Sequence, residues 1–178
     1  YYINLIPSKT KNFLIQSPVD TDHFDPNIKY PIEELKKKYL LEKKTVIGTI
    51  GNINRNKDHI TLLKTAKIIS SYSKDMIFLI VGPVYQSQKK YFTSLMDMIK
   101  KEEINNILFL DGKEDVRPFL KIMDIYVCSS DNEASPLSVW EAMSMEKAVV
   151  STDVGDVGKF INNGINGFIV NRKDSNAL

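Results

Sequence analysis

Short apolar runs rich in β-branched residues alternate with segments of helical period from residue 45 onward. The runs are TVIGTIG (45–51), MIFLIVG (76–82), NILFL (106–110), DIYVCSS (124–130), AVVSTD (148–153) and GFIVN (167–171). Near-continuous apolar strands separated by helices are typical of parallel sheets that are covered on both faces. We therefore predict an α/β fold, a Rossmann-like doubly wound parallel sheet with helices on both faces.

The segments between these strands are expected to form helices at residues 58–71, within 86–103, at 116–122, from 136 onward, and at 157–162. Residues 1–44 are less regular: NFLIQ (12–16) is predicted as a strand and EELKKKYLL (33–41) as a short amphipathic helix. With 178 residues and 43% apolar content, the chain can bury the core of one ordinary domain. We expect a single Rossmann-like domain over residues 1–178, with residues 1–44 as a partly irregular lead-in.

Charge and cysteine content exclude several classes of protein. The 24 basic and 22 acidic residues nearly cancel, so composition gives no reason to expect a nucleic acid or an anionic membrane as partner. The lone Cys128 lies in an apolar run and is predicted to be a buried thiol. No apolar stretch reaches membrane-spanning length, and we expect a cytoplasmic setting. The chain begins at Tyr1 and ends at DSNAL, where Asp174 or Ser175 is expected to cap a helix, which predicts a fragment of a longer protein.

Polar and small residues follow each predicted strand, at the edge where ligands bind in such sheets. The stretch GNINRNKDH (51–59) comes after the first strand. Gly51 lets a ligand approach the backbone, and Arg55 and Lys57 bring positive charge to a helix entrance, which suits a phosphate. A solvated loop with Asp58 as a helix cap stays open as the alternative. The stretch lacks GxGxxG and the Walker pattern, which disfavours a dinucleotide dehydrogenase or a P-loop kinase.

The stretch DNEASPLSVWEAM (131–143) places one glutamate in a loop and another in a helix. Pro136 is a good helix starter, so the amides of Leu137 and Ser138 would face an anion. Glu141, one turn further, could accept hydrogen bonds from a ribose diol, and Glu133 could hold sugar hydroxyls or stabilise positive charge near an anomeric carbon. On these residues alone, an ordinary loop acid and a solvated helix residue remain alternatives.

The remaining unusual residues predict no metal site. His23 and His59 are expected at the surface or as caps, because no further His, Cys or carboxylate stands at ligand spacing beside either. Trp140, Met143 and Met145 are expected in the core.

Together these segments resemble the carboxyl-terminal domain of family 4 glycosyltransferases of the GT-B fold. The likeness runs from PVDTDHF (18–24) to the end and includes VIGTIGNINRNKDH, IFLIVG, ILFLDGKEDV, LKIMDIYVCSSDNEASPLSVWEAM, KAVVSTDVGDV and NNGINGFIV. Glu133 and Glu141 match the E-x7-E signature of that family. The sequence departs from the family at Asn52, where many members carry Arg, at Ala134, often Gly, and at residues 16–18, often Pro-Asn-Gly.

The resemblance implies one half of a retaining enzyme that takes a sugar from a UDP- or GDP-linked donor without a metal or other cofactor. It implies that Glu133, as the catalytic residue, contacts the donor sugar, that Lys57 neutralises the diphosphate, and that Glu141 holds the ribose. Backbone near Val116 would lie by the base. The expected donor-binding set is Gly51, Asn52, Arg55, Lys57, Val116, Leu137, Ser138 and Glu141, with Arg55 a candidate substitute for the arginine absent at Asn52.

We therefore expect the donor half of a hexosyl-type glycosyltransferase acting on a glycan or lipid-linked acceptor, as in cell-surface polysaccharide or glycoconjugate synthesis. Its partners would be the nucleotide sugar and an absent amino-terminal acceptor domain, without which the chain would be inactive. Peripheral contact with the inner membrane face is open only through that domain. A non-catalytic nucleotide-binding or regulatory module and a nucleotide-sugar epimerase are alternatives, but the presence of both acids and Lys57 favours the transferase.

Overall fold

The computed structural model describes residues 16–178, which contain one six-stranded parallel sheet. Its strands are β1 (Thr45–Ile50), β2 (Met76–Val81), β3 (Ile107–Leu110), β4 (Ile125–Cys128), β5 (Ala148–Thr152) and β6 (Phe168–Val170). The strand order is β3-β2-β1-β4-β5-β6, and every neighbouring pair is parallel. The predicted fold class is confirmed.

The helices are α1 (Ile32–Lys38), α2 (His59–Tyr72), α3 (Lys89–Lys101), α4 (Arg117–Ile122), α5 (Leu137–Ser144) and α6 (Val157–Phe160). Helix α1 precedes β1 and ends three residues before its predicted end, whereas α2 to α6 occupy the predicted crossovers. Short 3₁₀ turns at Arg55–Lys57 and Gln86–Gln88 precede α2 and α3. Helix α6 ends two residues earlier than predicted, at Phe160. The predicted strand at 12–16 lies, except for Gln16, outside the described residues.

Alternate residues of β1 to β5 face two separate apolar cores, one on each face of the sheet. In β1, Val46 and Ile50 pack into the core that α4 and α5 cover, whereas Ile47 packs into the core under α2 and α3. Cys128 is buried, as predicted. Strands buried on both sides must be apolar at every position, which explains the continuous apolar runs in the sequence.

The order of the sheet reverses between β1 and β4, and Asp124 fastens these two strands together. The backbone N–H of Val46 donates to Asp124 Oδ2 at 2.8 Å, and the N–H of Asp124 donates to the Val46 carbonyl at 2.8 Å. Crevices at such reversals are where ligands bind in open α/β sheets. The loops that follow β1 and β4 therefore face each other across this crevice.

Close backbone approach at the ends of β1 and β2 requires a glycine at position 82. A Cβ added to Gly82 would lie 1.9 Å from the Gly51 carbonyl oxygen. The N–H of Gly51 donates to the Val81 carbonyl at 3.0 Å, so the two strand ends cannot easily separate. This contact forms the floor of the edge at which the predicted site residues lie.

We expect Gly82→Ala to lower the free energy of unfolding by about 1–3 kcal/mol, because overpacking against backbone has no easy relief. Gly158→Ala in α6 is the matched control, since the added Cβ would meet only Asp153 Oδ1, at 3.5 Å. Urea unfolding of both variants measures the effect. A Gly82→Ala protein as stable as the parent would contradict this description of the strand ends.

Candidate functional site

The loops after β1 and β4 meet in an ion pair between two of the predicted site residues. Lys57 Nζ lies 2.7 Å from Glu133 Oε1, and the two side chains are 22% and 18% exposed. The partners are far apart in sequence but adjacent in space because the sheet reverses between their strands. The structure thus brings a cation and a carboxylate together at the mouth of the crevice.

The 3₁₀ turn that ends at Lys57 is held by three polar contacts. The side chain of Asn54 accepts hydrogen bonds from the N–H groups of Asn56 and Lys57, at 2.9 and 3.3 Å. Ser129 Oγ donates to the Lys57 carbonyl at 2.8 Å. The Lys57 side chain lies across Gly51, where an added Cβ would be 3.0 Å from Lys57 Cε. A side chain at position 51 would therefore displace the ammonium group.

Glu133 is positioned by a buried serine and by a tightly packed loop. Ser130, which is 1% exposed, donates from Oγ to Glu133 Oε1 at 3.0 Å. Thr152 Oγ1 in turn donates to the Ser130 carbonyl at 2.6 Å. Gly155, with φ +56°, packs against the loop, and an added Cβ would lie 2.3 Å from the Ala134 carbonyl oxygen. These contacts fix where the carboxylate points.

Ser129 and Ser130 were not predicted as site residues. The available signal was their place directly after a buried strand, at the edge where ligands bind. Hydroxyls so placed must find partners when they are buried, and here they find the backbone of Lys57 and the carboxylate of Glu133.

Glu141 lies one turn inside α5, on a half-buried part of the same edge. Burial raises the pKa of its carboxyl, while the positive charges of His23 and Lys57 act in the opposite direction. The charge of Lys57 thus reaches both acids of the signature. The observed placement agrees with the predicted division, with Glu133 in the loop and Glu141 in the helix.

The first turn of α5 has no side-chain cap, and a buried tyrosine bonds to the end of β1. Pro136 precedes the helix, no side chain caps it, and Leu137 is 48% exposed. Ser138 is half-buried in this first turn, and the hydroxyl of the buried Tyr126 donates to the Ile50 carbonyl at 3.4 Å. Burial raises the pKa of Tyr126, so its phenol stays protonated and keeps this donor.

A cleft of about 580 Å³ opens beside the ion pair, at the carboxyl ends of β1, β2 and β3. Among the predicted donor-binding residues, Gly51, Asn52 and Val116 line it. The Lys57 side chain lies across Gly51, so the cleft and the ion pair are contiguous. The other lining residues are Ile50, Val81, Gly82, Pro83, Asp111, Gly112, Lys113 and Glu114.

An apolar groove of about 350 Å³ lies elsewhere, beside α5 and α6. Its walls include Val19, Trp140, Met143 and Phe160, and the rings of Trp140 and Phe160 meet edge to face with centroids 5.1 Å apart. None of the lining residues within 16–178 is charged, so this part of the groove does not suit a diphosphate. Trp140 and Met145 are buried, as predicted, whereas Met143 is partly buried beside them.

Arg55 lies against α3 rather than with the residues that line the cleft. Its guanidinium carbon is 5.4 Å from the centre of the Tyr91 ring, and the side chain is exposed. The Tyr91 hydroxyl accepts from the His59 N–H at 3.1 Å. A role for Arg55 in place of the arginine absent at Asn52 stays a prediction.

The prediction that His59 is at the surface or acts as a cap is wrong. Its side chain is only 2% exposed, because Asp58, in the left-handed region at φ 43°, turns the first residue of α2 inward. Asp58 itself is the predicted cap, accepting from the Thr61 N–H at 3.4 Å. Burial lowers the pKa of His59 to about 4, and the charge of Lys57 lowers it further, although the nearby Asn54 backbone acts in the opposite direction. His23 is exposed, as predicted.

Within residues 16–178, no group of three or more His, Cys, Asp or Glu side chains is placed to hold a metal ion. None of the helices in that range is long and apolar enough to cross a membrane.

A family model described as "Glycosyl transferases group 1" matches residues 31–178. One relative is the capsular polysaccharide biosynthesis glycosyltransferase CapM of Staphylococcus aureus, 27% identical over 82% of this chain and 38% of its own length. Another is the UDP-Gal:alpha-D-GlcNAc-diphosphoundecaprenol alpha-1,3-galactosyltransferase of Escherichia coli, 26% identical over 93% of this chain and 42% of its own length. The chain thus spans about two fifths of the length of these relatives.

Solved structures show the same fold. A glycosyltransferase from Rickettsia africae superposes with a TM-score of 0.82 at 25% identity, over 89% of this chain and 42% of its own. Anabaena HepE in complex with UDP and glucose gives 0.81 at 20% identity, over 89% and 43%. The C-terminal domain of a group 1 glycosyl transferase (LpcC) from Francisella tularensis gives 0.76 at 24% identity, over 89% of this chain and 82% of its own. The described fold is that of a carboxyl-terminal half domain.

The buried His59 predicts a loss of stability in acid. Its folded pKa of about 4 lies below the ordinary value, so between the two values the unfolded chain binds the proton and the folded chain does not. We expect His59 alone to lower the free energy of unfolding by about 3 kcal/mol as the pH falls from about 6.5 to about 4, with no effect above that range.

Urea unfolding across this pH range, on the parent and on His59→Gln, measures this loss as the difference between the two pH profiles. His23→Gln, at the exposed histidine, is the control and should follow the parent. Parallel profiles for the parent and His59→Gln would show that His59 does not titrate as described.

Proposed function

Because the chain belongs to the group 1 glycosyl transferases, we propose that it is the donor-binding half of a retaining glycosyltransferase. The proposed donor is a UDP- or GDP-linked sugar, and the proposed acceptor is a glycan or a lipid-linked glycan. The names of two relatives support this class of reaction, since one acts in capsular polysaccharide biosynthesis and the other uses UDP-Gal with a diphosphoundecaprenol-linked acceptor.

The observation that carries the proposal is the meeting of Lys57 and Glu133 beside the cleft. Glu141 lies one turn inside α5, where the charge of Lys57 acts on it. An ammonium group suits a diphosphate, a carboxylate in the adjoining loop suits a sugar, and a second carboxylate suits a ribose diol. Two carboxylates and one ammonium group in this arrangement match the sugar, the ribose and the diphosphate of one nucleotide sugar.

The cleft beside Gly51 supports a place for the base and ribose. Its volume of about 580 Å³ falls in the range of small-molecule pockets. Val116 and the backbone of Gly82 line its walls. Because the cleft continues directly to Lys57, a nucleotide lying in it would present its diphosphate to the ammonium group.

In the proposed reaction, negative charge grows on the diphosphate as the bond to the sugar breaks. Lys57 and the free amides at the start of α5 stabilise this charge. Glu133 stabilises the positive charge that develops near the anomeric carbon. The acceptor would come from an amino-terminal domain, and this half alone would transfer no sugar, because one half-site cannot align two reactants. The proposed setting is cytoplasmic, with any membrane contact made through the remainder of the protein.

We expect Lys57→Ala to weaken the binding of UDP or GDP about tenfold or more, because a charge-assisted contact is lost. Isothermal titration calorimetry on the folded variant measures the change. Lys64→Ala is the control, since Lys64 is an exposed lysine on α2 outside the cleft. Equal nucleotide affinities for Lys57→Ala and the parent would refute the role given to Lys57.

We expect Glu141→Gln to weaken the same nucleotides about three- to tenfold, because an amide oxygen accepts hydrogen bonds from a diol less strongly than a carboxylate does. Glu146→Gln, an exposed acid just beyond the same helix, is the control. The comparison with a 2′-deoxynucleotide is decisive. The parent should bind the 2′-deoxynucleotide more weakly than the ribonucleotide, and Glu141→Gln should weaken the 2′-deoxynucleotide by a smaller factor than the ribonucleotide. If Glu141→Gln weakens both nucleotides by the same factor, Glu141 does not hold the ribose.

A further inference from the structure

In the fold described here, Lys57 already forms an ion pair with Glu133 of the same chain. The ammonium nitrogen lies 2.7 Å from Glu133 Oε1, and the pair is mostly shielded from solvent, at 22% and 18% exposure. A diphosphate that is to be neutralised by Lys57 must therefore compete with a carboxylate that is already in contact. Shielding matters here, because fully exposed pairs are screened and compete weakly.

We propose that Glu133 acts as a competitor of the diphosphate for Lys57, so that the site holds the intact nucleotide sugar in preference to the bare nucleotide diphosphate. This inference rests on the proposed function and concerns regulation of the same site. When the diphosphate takes Lys57, the Glu133 carboxylate becomes available to the sugar. When the sugar has been transferred, Glu133 returns to Lys57 and loosens the nucleotide product.

The Lys57 side chain can exchange the Glu133 carboxylate for a diphosphate without a change in the backbone. Its ammonium is a compact charge with three donors on a flexible stem. The side chain runs across Gly51, whose lack of a Cβ leaves the stem room, and Gly51 also lines the cleft. The ammonium thus lies between Glu133 on one side and the cleft on the other. A movement of the side chain alone can transfer it from one to the other.

The Glu133 carboxylate keeps a hydrogen-bond partner when Lys57 moves away. The buried Ser130 Oγ donates to the same oxygen, Oε1, at 3.0 Å, so the carboxylate keeps a hydrogen bond when the ammonium leaves. The loop is further held by Gly155 and by the bond from Thr152 to the Ser130 carbonyl. The carboxylate would therefore stay in place for the sugar hydroxyls, which then supply its second partner.

The direct test is calorimetric titration of the chain with UDP and with GDP, for the parent, Glu133→Gln, Lys57→Ala and the double variant. Glu133→Gln removes the carboxylate that pairs with Lys57. This variant should therefore bind the nucleotide diphosphate about two- to fivefold more tightly than the parent. In the Lys57→Ala background, Glu133→Gln should give no gain. A general loss of negative charge would tighten binding in both backgrounds, so the double variant separates the two causes.

Asp131→Asn is the matched control. Asp131 lies in the same loop as Glu133 but pairs with Lys173, at 2.9 Å. Its substitution removes an equal charge and a more exposed ion pair, at 67% and 35% exposure for Lys173 and Asp131, without freeing Lys57. The affinity for the nucleotide should not change. An equal gain with Asp131→Asn would overturn the inference, because loosening of the loop would then explain the effect.

The outcomes separate this inference from the function on which it rests. If the parent binds UDP or GDP and Glu133→Gln binds no more tightly, the competition is refuted and the donor-binding role stands. If the gain persists in the Lys57→Ala background, the competition is likewise refuted. If the parent binds neither nucleotide at millimolar concentration, the proposed function fails and the competition fails with it.

Discussion

The whole carboxyl edge of the sheet depends on β1 lying between β2 and β4. The reciprocal hydrogen bonds between Val46 and Asp124 fasten the reversal, although β1 and β4 share a short register. On one side of β1, Gly51 and Gly82 meet backbone to backbone and shape the cleft. On the other side, the loops after β1 and β4 bring Lys57 to Glu133. A strand inserted between β1 and β4 would separate these loops and abolish the site.

Opposite charges lie close together at this edge of the sheet. The Lys57 side chain lies against Gly51 and pairs with Glu133 in the facing loop, and its charge also acts on Glu141 in the helix. Buried hydroxyls of Ser129 and Ser130 hold the backbone and the acid in place. Partly buried charges with fixed partners interact more strongly than solvated ones, because less water and salt screen them. This gives the site a defined geometry before any ligand is considered.

The sequence predicted the order and type of the elements because strands buried on both faces leave an unmistakable apolar pattern. It also placed Lys57, Glu133 and Glu141 at one edge, since the carboxyl ends of parallel strands share that edge. It could not show that Lys57 and Glu133 pair, because their contact depends on side-chain reach across two loops. The burial of His59 was missed because a left-handed Asp58, which turns the ring inward, has no clear sequence signal. The contact of Arg55 with the Tyr91 ring was likewise not predictable, because it depends on how α3 packs beside the loop.

The central claim is that a nucleotide diphosphate binds at the ends of β1, β3 and β4. Amide NMR of the ¹⁵N-labelled chain, titrated with UDP and with GDP, tests it most directly. The account predicts saturable shifts concentrated at Gly51, Lys57, Val116 and Ser138. Shifts centred on the apolar groove at Val19 and Phe160, or no saturable shifts with either nucleotide, would contradict it.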